Sequence, residues 1–256
     1  MLEQLAKPPI IEVGAAVEWP RLAEVDAVFL AGWFAHRRQR YPRYRILRAA
    51  GPDSVSVDFG NAAPALRGWF ESECGSWVVQ LDNQRLALHW RRTGPDSDYP
   101  RFGSVAGGVR DRMVEEWQAF QAFLGQRDIS IPQQLVVAVF KVDALLQGRH
   151  WKDEEDASRL LPVLRHQPLW GTDERAEELL LGVSTADDSG MSQRWQLRML
   201  AAGQQSLLRL ETGARCPLPE AGAVDSALTR CNERVNRLFD TLISAEARHE
   251  RFRGEG

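Results

Sequence analysis

Cysteine is scarce in this chain of 256 residues. The three cysteines, Cys74, Cys216 and Cys231, lie far apart, and no two of them form a CxxC pair. An odd number of widely spaced cysteines argues against both a disulfide framework and a zinc knuckle. A chain of this length can bury a sizeable core without such cross-links, so the cysteine content is typical of a protein in a reducing compartment.

Long apolar segments are also missing. No run of residues approaches the roughly 18 consecutive apolar positions that a membrane-spanning helix needs. The first residues, MLEQLAKPPIIEV, contain no apolar core of signal-peptide length. We therefore predict a cytoplasmic protein that makes no membrane contact.

The chain lacks a strong excess of either charge. Lysine and arginine number 32 and aspartate and glutamate 35, which gives a net charge of −3. This balance provides no overall electrostatic reason for binding nucleic acid or anionic lipid. Any such binding has to come from a local concentration of charge.

Catalytic signatures are absent as well. The sequence contains none of the patterns GxGxxG, GxxxxGK[ST], HExxH and GxSxG. Its five histidines, at positions 36, 89, 150, 166 and 249, include no pair spaced by four residues. We therefore predict no catalytic residue, no metal site and no cofactor. The sequence favours a non-catalytic protein and leaves enzymatic activity open.

The most regular pattern in the chain occupies residues 68–92, GWFESECGSWVVQLDNQRLALHWRR. Apolar and polar residues alternate in two runs, 77–82 and 85–91, and turn-forming residues bound them. Together with the segment around Trp69, this predicts a meander of three antiparallel strands with one packed and one polar face. The polar face is either solvated or turned toward a ligand or partner. It would carry Gln80, Arg85, His89 and Arg91.

The order of predicted elements divides the chain into two halves, residues 1–127 and 128–256. Each half is predicted as a strand, a helix, several antiparallel strands and a long helix. We therefore predict an α+β fold in which an antiparallel curved sheet is backed by long helices. This plan resembles the duplicated β-α-β4-α layout of the TATA-binding protein, at the level of fold alone.

Helical spacing of apolar residues predicts most of the helices. The predicted helices span Arg21 to about Arg40, Ser104 to Gly125, and Asp225 to Phe252. In the second half, an apolar run predicts a central strand over Val136–Val142. A strand over Ser206–Thr212 is followed by a predicted linker that begins at Cys216.

Positive charge is concentrated between residues 37 and 48. No acidic residue lies between Asp26 and Asp53. A solvated helix end is one interpretation, because cations suit a helix C-terminus. A patch facing phosphate or acidic groups is the other, although few aromatic residues are interleaved for base stacking. The predicted basic patch consists of Arg37, Arg38, Arg40, Arg43, Arg45 and Arg48.

Further binding candidates lie in and after the meander. Arg101, within YPRF at 99–102, follows closely on Arg91 and Arg92, and guanidinium groups suit carboxylate or phosphate ligands. The alternative is that the two aromatic residues of YPRF fill the core and leave Arg101 exposed. The chain's nine tryptophans also indicate an aromatic-rich core or recognition surface. The predicted binding residues are His89, Arg91, Arg92, Arg101, Trp77 and Trp90.

Five segments carry a family resemblance. They are PPIIEV at 8–13, GWFES at 68–72, WVVQLDNQRLALHWRR at 77–92, YPRF at 99–102 and NERVNRLFDTLISAE at 232–246. Together they resemble a sporadically distributed family of uncharacterised bacterial proteins of about this length. The resemblance covers nearly the whole chain and implies no catalytic residue. The patchy occurrence of the family implies an accessory role, such as one in a mobile or defence-linked locus.

Three functional hypotheses follow. The favoured one is a non-catalytic interaction or adaptor subunit that binds a partner protein through its sheet face or aromatic surface. The second is a small-ligand binder or enzyme with an anion-binding pocket between sheet and helices, using His89, Arg91 and Arg101. The third is nucleic-acid binding through the basic patch.

Overall fold

A computed structural model of the chain describes residues 9–47, 66–94, 99–103, 107–131, 133–165, 178–202, 205–218 and 221–252. Its strands and helices, in chain order, are β1 (Ile10–Glu18), α1 (Ala27–Arg37), β2 (Arg43–Leu47), β3 (Arg67–Glu71), β4 (Trp77–Asp82), β5 (Arg85–Arg91), α2 (Val109–Gly125), β6 (Leu135–Leu146), α3 (Glu154–Leu160), β7 (Glu178–Ala186), β8 (Ser192–Ala202), β9 (Gln205–Leu218), α4 (Val224–Leu242) and α5 (Ala245–Arg251).

The nine described strands form one sheet in the order β2-β3-β4-β5-β1-β6-β9-β8-β7. Pairing is antiparallel between β2 and β3, β3 and β4, β4 and β5, and β7 and β8. The predicted α+β class and antiparallel sheet are therefore confirmed. The predicted meander is strands β3 to β5, joined by the turns at 72–76 and 83–84.

The chain divides into two compact units of densely contacting residues. Unit 1 consists of Met1–Glu12, Phe140–Ala214 and Asn232–Gly256, and unit 2 of Val13–Val139 and Arg215–Cys231. Each unit thus draws residues from both of the predicted halves, 1–127 and 128–256.

Aromatic side chains dominate the core of unit 2. Phe29 and Trp33 of α1 contact Phe120 and Phe123 of α2, with ring centroids 5.1 to 6.2 Å apart. Helix α2 also lies against β5. Alternation and register place most of the apolar residues of the meander on one face. The buried members of that face are Phe70, Trp77, Val79, Leu81, Leu86, Leu88 and Trp90.

The core of unit 1 is aliphatic, with two aromatic anchors. Trp151 and Phe252 are buried among leucines from α3, β8, β9 and α4. The Trp151 indole N–H donates to the carbonyl of Leu145 at 2.9 Å, which satisfies the one polar atom that this side chain brings into the core. No described helix of either unit is long and apolar enough to cross a membrane.

Three predicted helix boundaries are wrong. Helix α2 begins at Val109, and its predicted first residue, Ser104, lies outside the described residues. A capping residue sets each of the other two boundaries. Helix α1 begins at Ala27 rather than near Arg21, since the Asp26 carboxylate accepts the N–H of Phe29 at 2.8 Å. The predicted terminal helix is two helices, α4 and α5. Ser244 is extended between them, and its hydroxyl caps the N–H of Ala247 at 3.2 Å.

The linker predicted at Cys216 is also wrong. Strand β9 continues to Leu218, and burial alternates from Leu207 to its end. The inward-facing, buried residues are Leu208, Leu210, Thr212, Ala214, Cys216 and Leu218. Pro217, which favours a loop in the sequence, is an exposed position of that strand.

Candidate binding site on the meander

The second face of the meander carries charged side chains, and it is more covered than alternation predicts. All six residues of β4 are buried, including Gln80 and Asp82 on this face. The register of the strands places Arg43 opposite Glu71, and Arg45 opposite Trp69. The polar residues of β4 are covered by arginines of the two strands beside it: Arg67 of β3 and Arg85 of β5 lie against Asp82, and Arg85 also contacts Gln80.

Three arginines meet at the Glu71 carboxylate. Arg43 Nη1 lies 3.1 Å from Oε1, while Arg45 Nη2 and Arg91 Nη2 lie 3.3 and 2.9 Å from Oε2. The Glu71 side chain is 9% exposed, whereas Arg43 and Arg45 are 59% and 63% exposed. One carboxylate neutralises one guanidinium, so this group retains two positive charges. We call Arg43, Arg45, Trp69, Glu71 and Arg91 the arginine face.

The environment of Glu71 favours its ionised form. Burial by itself would raise the pKa of this carboxyl, but the Trp69 indole N–H, at 3.4 Å, and the three guanidinium groups outweigh burial. The pKa of Glu71 is therefore below its ordinary value. Glu71 remains an anion across the physiological range and holds the arginines in place.

The Trp69 ring contacts two of these arginines. The guanidinium carbons of Arg45 and Arg91 lie 5.9 and 5.7 Å from the ring centroid, within the range of cation–π attraction. Arg91 also donates through Nε to the carbonyl of Gly75 at 3.0 Å. Its orientation is therefore set by a carboxylate, a ring and a backbone acceptor together.

A second, buried cluster lies on the same face of the meander. Asp82 is 1% exposed, and its Oδ2 lies 3.2 Å from Arg67 Nε and 3.4 Å from Arg85 Nε. Arg85 also donates to Gln80 at 3.4 Å. Both arginines are largely buried, so this cluster adds little to the exposed surface of the arginine face.

The predicted basic patch separates into two groups. Arg37 Nε donates to the fully buried Glu116 at 3.1 Å, and Arg40 lies 2.7 Å from Glu115. These two arginines join the end of α1 to α2 and are structural. Arg43 and Arg45 instead belong to the arginine face. Arg38 is exposed, and Arg48 lies outside the described residues.

The six predicted binding residues do not share one surface. Arg91 is part of the arginine face, and His89 lies two residues earlier on the same side of β5. Trp77 and Trp90 lie on the opposite face and are 9% and 2% exposed, as core side chains are. Arg92 follows β5, and Arg101 is exposed in the segment after it.

Sequence reasoning missed the roles of Trp69 and Glu71. Glu71 lies on β3, which is paired on both sides, and Glu73 lies in the turn that follows. One signal in the sequence could have revealed these roles. Arg43 and Arg45 are two residues apart, as Trp69 and Glu71 are, so each pair lies on one side of its strand. Pairing β2 with β3 across the 19 intervening residues, 48–66, could not be derived from that signal.

The Cys74 thiol lies in the turn between β3 and β4, next to a hydroxyl group. The Ser72 hydroxyl lies 3.3 Å from its sulfur. This hydrogen bond, against a smaller effect of burial, lowers the pKa of the exposed Cys74 thiol. Groups of three metal-ligating side chains do not occur among the described residues.

Unit 1 contains a buried pair of ionisable residues on β6. The largely apolar sequence of this strand gives no indication of the pair. Lys141 and Asp143 are 8% and 1% exposed, and neither carboxylate oxygen of Asp143 has a hydrogen-bond donor among the described residues. Lys141 donates to the side-chain carbonyl of Asn236 on α4. Burial raises the pKa of Asp143 to about 7, against the opposing effect of Lys141.

Comparison with known proteins adds little to this description. No family model and no curated protein matches the chain. One similar solved structure is that of the Mycobacterium tuberculosis type VII secretion system chaperone EspG5 in complex with a PE25–PPE41 dimer. It is 12% identical, with 89% of this chain and 74% of that chain covered and a TM-score of 0.18. A TM-score this low supports no argument about fold or function.

Proposed function

We propose that the arginine face binds an acidic segment of a partner protein, and that the chain acts as a non-catalytic interaction or adaptor subunit. The observation that carries this proposal is the convergence of three guanidinium groups on one carboxylate, with two of the arginines more than half exposed. Planar guanidinium groups suit carboxylates because they can donate two parallel hydrogen bonds. An acidic segment would neutralise the charge that Glu71 leaves over.

The surroundings of the face favour a protein over a nucleic acid. Guanidinium groups of Arg45 and Arg91 already lie against the Trp69 ring, whereas single-stranded binders need open aromatic faces for bases. Arg37 and Arg40 are engaged by the acidic residues of α2. Within the described part of the basic patch, the exposed cations are therefore Arg38, Arg43 and Arg45, which suits a short acidic segment better than a phosphate backbone.

Fluorescence anisotropy with labelled probes tests the proposal. The probes are a glutamate-rich peptide, a glutamine-rich peptide of equal length, inorganic phosphate as competitor, and single- and double-stranded DNA. We expect the glutamate peptide to bind and the glutamine peptide not to bind. Replacing Arg43 and Arg45 by alanine should weaken binding about three- to tenfold, because each exposed ion pair contributes at most about 1 kcal/mol.

The matched control replaces Arg149 and Arg159, two exposed arginines outside the face, by alanine and should leave binding unchanged. Equal binding of the acidic peptide to wild type and to the Arg43/Arg45 variant would overturn the proposal. Stronger binding of DNA than of peptide would favour the nucleic-acid hypothesis. Full displacement of the peptide by dilute phosphate would favour a small-anion site.

We also propose that the chain arose by duplication of the β-α-β4-α plan predicted from its sequence. The element order supports this, since β1, α1, four strands and α2 are followed by β6, α3, three described strands and α4. The sheet order supports it too, because it runs outward from β1 through β5, β4, β3 and β2, and from β6 through β9, β8 and β7. Membership of the sporadic bacterial family and an accessory role belong to the same proposal.

A further inference from the structure

The two edges of the sheet differ in how they are protected. Among the described strands, β2 and β7 are the terminal ones. β2 has five residues and carries Arg43 and Arg45, and such charges discourage edge-to-edge pairing. β7 has nine residues and contains no charged side chain or proline after Glu178. It is therefore the edge that lacks the usual protection.

Apolar side chains on both faces of β7 are exposed to water. Leu181 and Val183 lie opposite Leu197 and Trp195 of β8, on the side of the unit 1 core. Val183 is nevertheless 47% exposed, and Leu180, on the other face, is 52% exposed. The side chains of a strand added next to β7 would cover Val183 on the core side of the sheet and Leu180 on the other side.

We propose that β7 pairs antiparallel with β7 of a second copy of this chain, about a two-fold axis at Gly182. Gly182 is the middle residue of Glu178–Ala186, so this register pairs the strand along its whole length. It places Leu181 opposite the partner's Val183 and Leu180 opposite the partner's Ser184. No two charged side chains are brought opposite each other.

The features of β7 favour a second copy over a foreign strand. Beyond Glu178 the strand has no charge that would select a charged partner. A second copy fits because Gly182, which has no side chain, would lie opposite the Gly182 of that copy, so the two strands can approach closely at the two-fold axis. A two-fold interface closes on itself, so neither β7 edge remains free. Since β2 is protected by its arginines, the assembly ends at the dimer. This inference is independent of the arginine face.

Sedimentation velocity over a wide concentration range tests the proposal on the full chain. We expect a reversible monomer–dimer equilibrium. The changes Val183→Lys and Thr185→Lys should each raise the dimer dissociation constant at least tenfold. Ile46→Lys, at an exposed apolar position of the other edge strand, should leave it unchanged. Circular dichroism and thermal unfolding check that each variant folds.

A chemical cross-link locates the contact. In a Cys74→Ser background, Val183→Cys should form covalent dimers with a short bis-maleimide, and Ile46→Cys should not. A protein that stays monomeric at all concentrations would overturn the proposal. A dimer that persists in both folded lysine variants would also overturn it. The same holds for a series of growing oligomers, and for equal cross-linking at positions 46 and 183.

Discussion

Glu71 occupies the position that an external carboxylate would take among the arginines. Its contacts are therefore both structural and competitive: it orders Arg43, Arg45 and Arg91 and neutralises part of their charge. Removing that negative charge should free all three guanidinium groups for an external anion. The same change leaves clustered cations unpaired, which destabilises the fold.

We predict opposite effects of Glu71→Gln on binding and stability. Affinity for the glutamate-rich peptide should rise at least threefold, while the free energy of unfolding in urea should fall by about 1–2 kcal/mol. Glu73→Gln is the matched control, because Glu73 is exposed in the adjoining turn and contributes only its backbone carbonyl to Arg43. Lower peptide affinity in Glu71→Gln would show that Glu71 positions the arginines more than it competes.

A second residue-scale prediction concerns pH and the buried pair of β6. Burial raises the pKa of Asp143 to about 7 and lowers that of Lys141 to about 8. The unfolded value for aspartate is about 4, so the native state binds the Asp143 proton more tightly than the unfolded chain. Stability is therefore lost as pH rises from about 4 to about 7. Asp240 of α4, which is paired with Arg248 of α5, also acts on Lys141.

Replacing Asp143 by asparagine removes this titration. The free energy of unfolding of Asp143→Asn should exceed that of wild type by an amount that grows with pH, by on the order of 2 kcal/mol between pH 5 and pH 7.5. Urea denaturation at several pH values measures it. Asp188→Asn, at an exposed turn position, should show no such growth, and a constant difference for Asp143→Asn would refute the assignment.

At the scale of elements, the break between α4 and α5 depends on Ser244. Its hydroxyl accepts the N–H of Ala247, and its own N–H donates to the carbonyl of Leu160 at 3.0 Å. Ser244→Ala should lower the free energy of unfolding by about 1 kcal/mol through loss of the cap. Ser226→Ala, within α4, should cost less than half as much. If Ser244→Ala leaves the free energy of unfolding unchanged, the backbone hydrogen bond to Leu160 is sufficient to keep α4 and α5 separate.

Periodicity located most elements, because the short-range pattern of burial is a local property of the chain. It predicted the three strands of the meander and the polar side of β5 with Arg85, His89 and Arg91. It failed where one polar atom decides a boundary, as at Asp26 and Ser244. It also failed at Cys216, since alternation continues through a proline that happens to lie on the exposed side.

The arginine face was only partly predictable, because its contacts join residues that are far apart in the sequence. Arg43, Arg45 and Arg91 were named from sequence, but Glu71 joins them only through the pairing of β2 with β3 and the reach of Arg91 across β4. The acidic partners of Arg37 and Arg40 lie more than 70 residues away in the chain. A local run of arginines therefore says little about which of them remain exposed.

At the scale of the whole molecule, net charge and local charge have opposite signs. The chain carries −3 overall, while the arginine face retains two positive charges. The Debye length is about 8 Å at physiological salt, so an acidic segment bound on the face responds mainly to nearby groups. The overall negative charge should therefore matter much less than the identity of the residues on the face.

Two charge-reversal variants with equal net charge separate these effects. Each Arg→Glu change removes two units of charge, so Arg43→Glu with Arg45→Glu, and Arg149→Glu with Arg159→Glu, both take the chain from −3 to −7. At physiological salt the first pair should abolish detectable binding of the glutamate-rich peptide, and the second should change its dissociation constant less than about threefold. Anisotropy titrations at two salt concentrations measure both. Equal losses in the two variants would mean that net charge governs the interaction and that the arginine face has no special part in it.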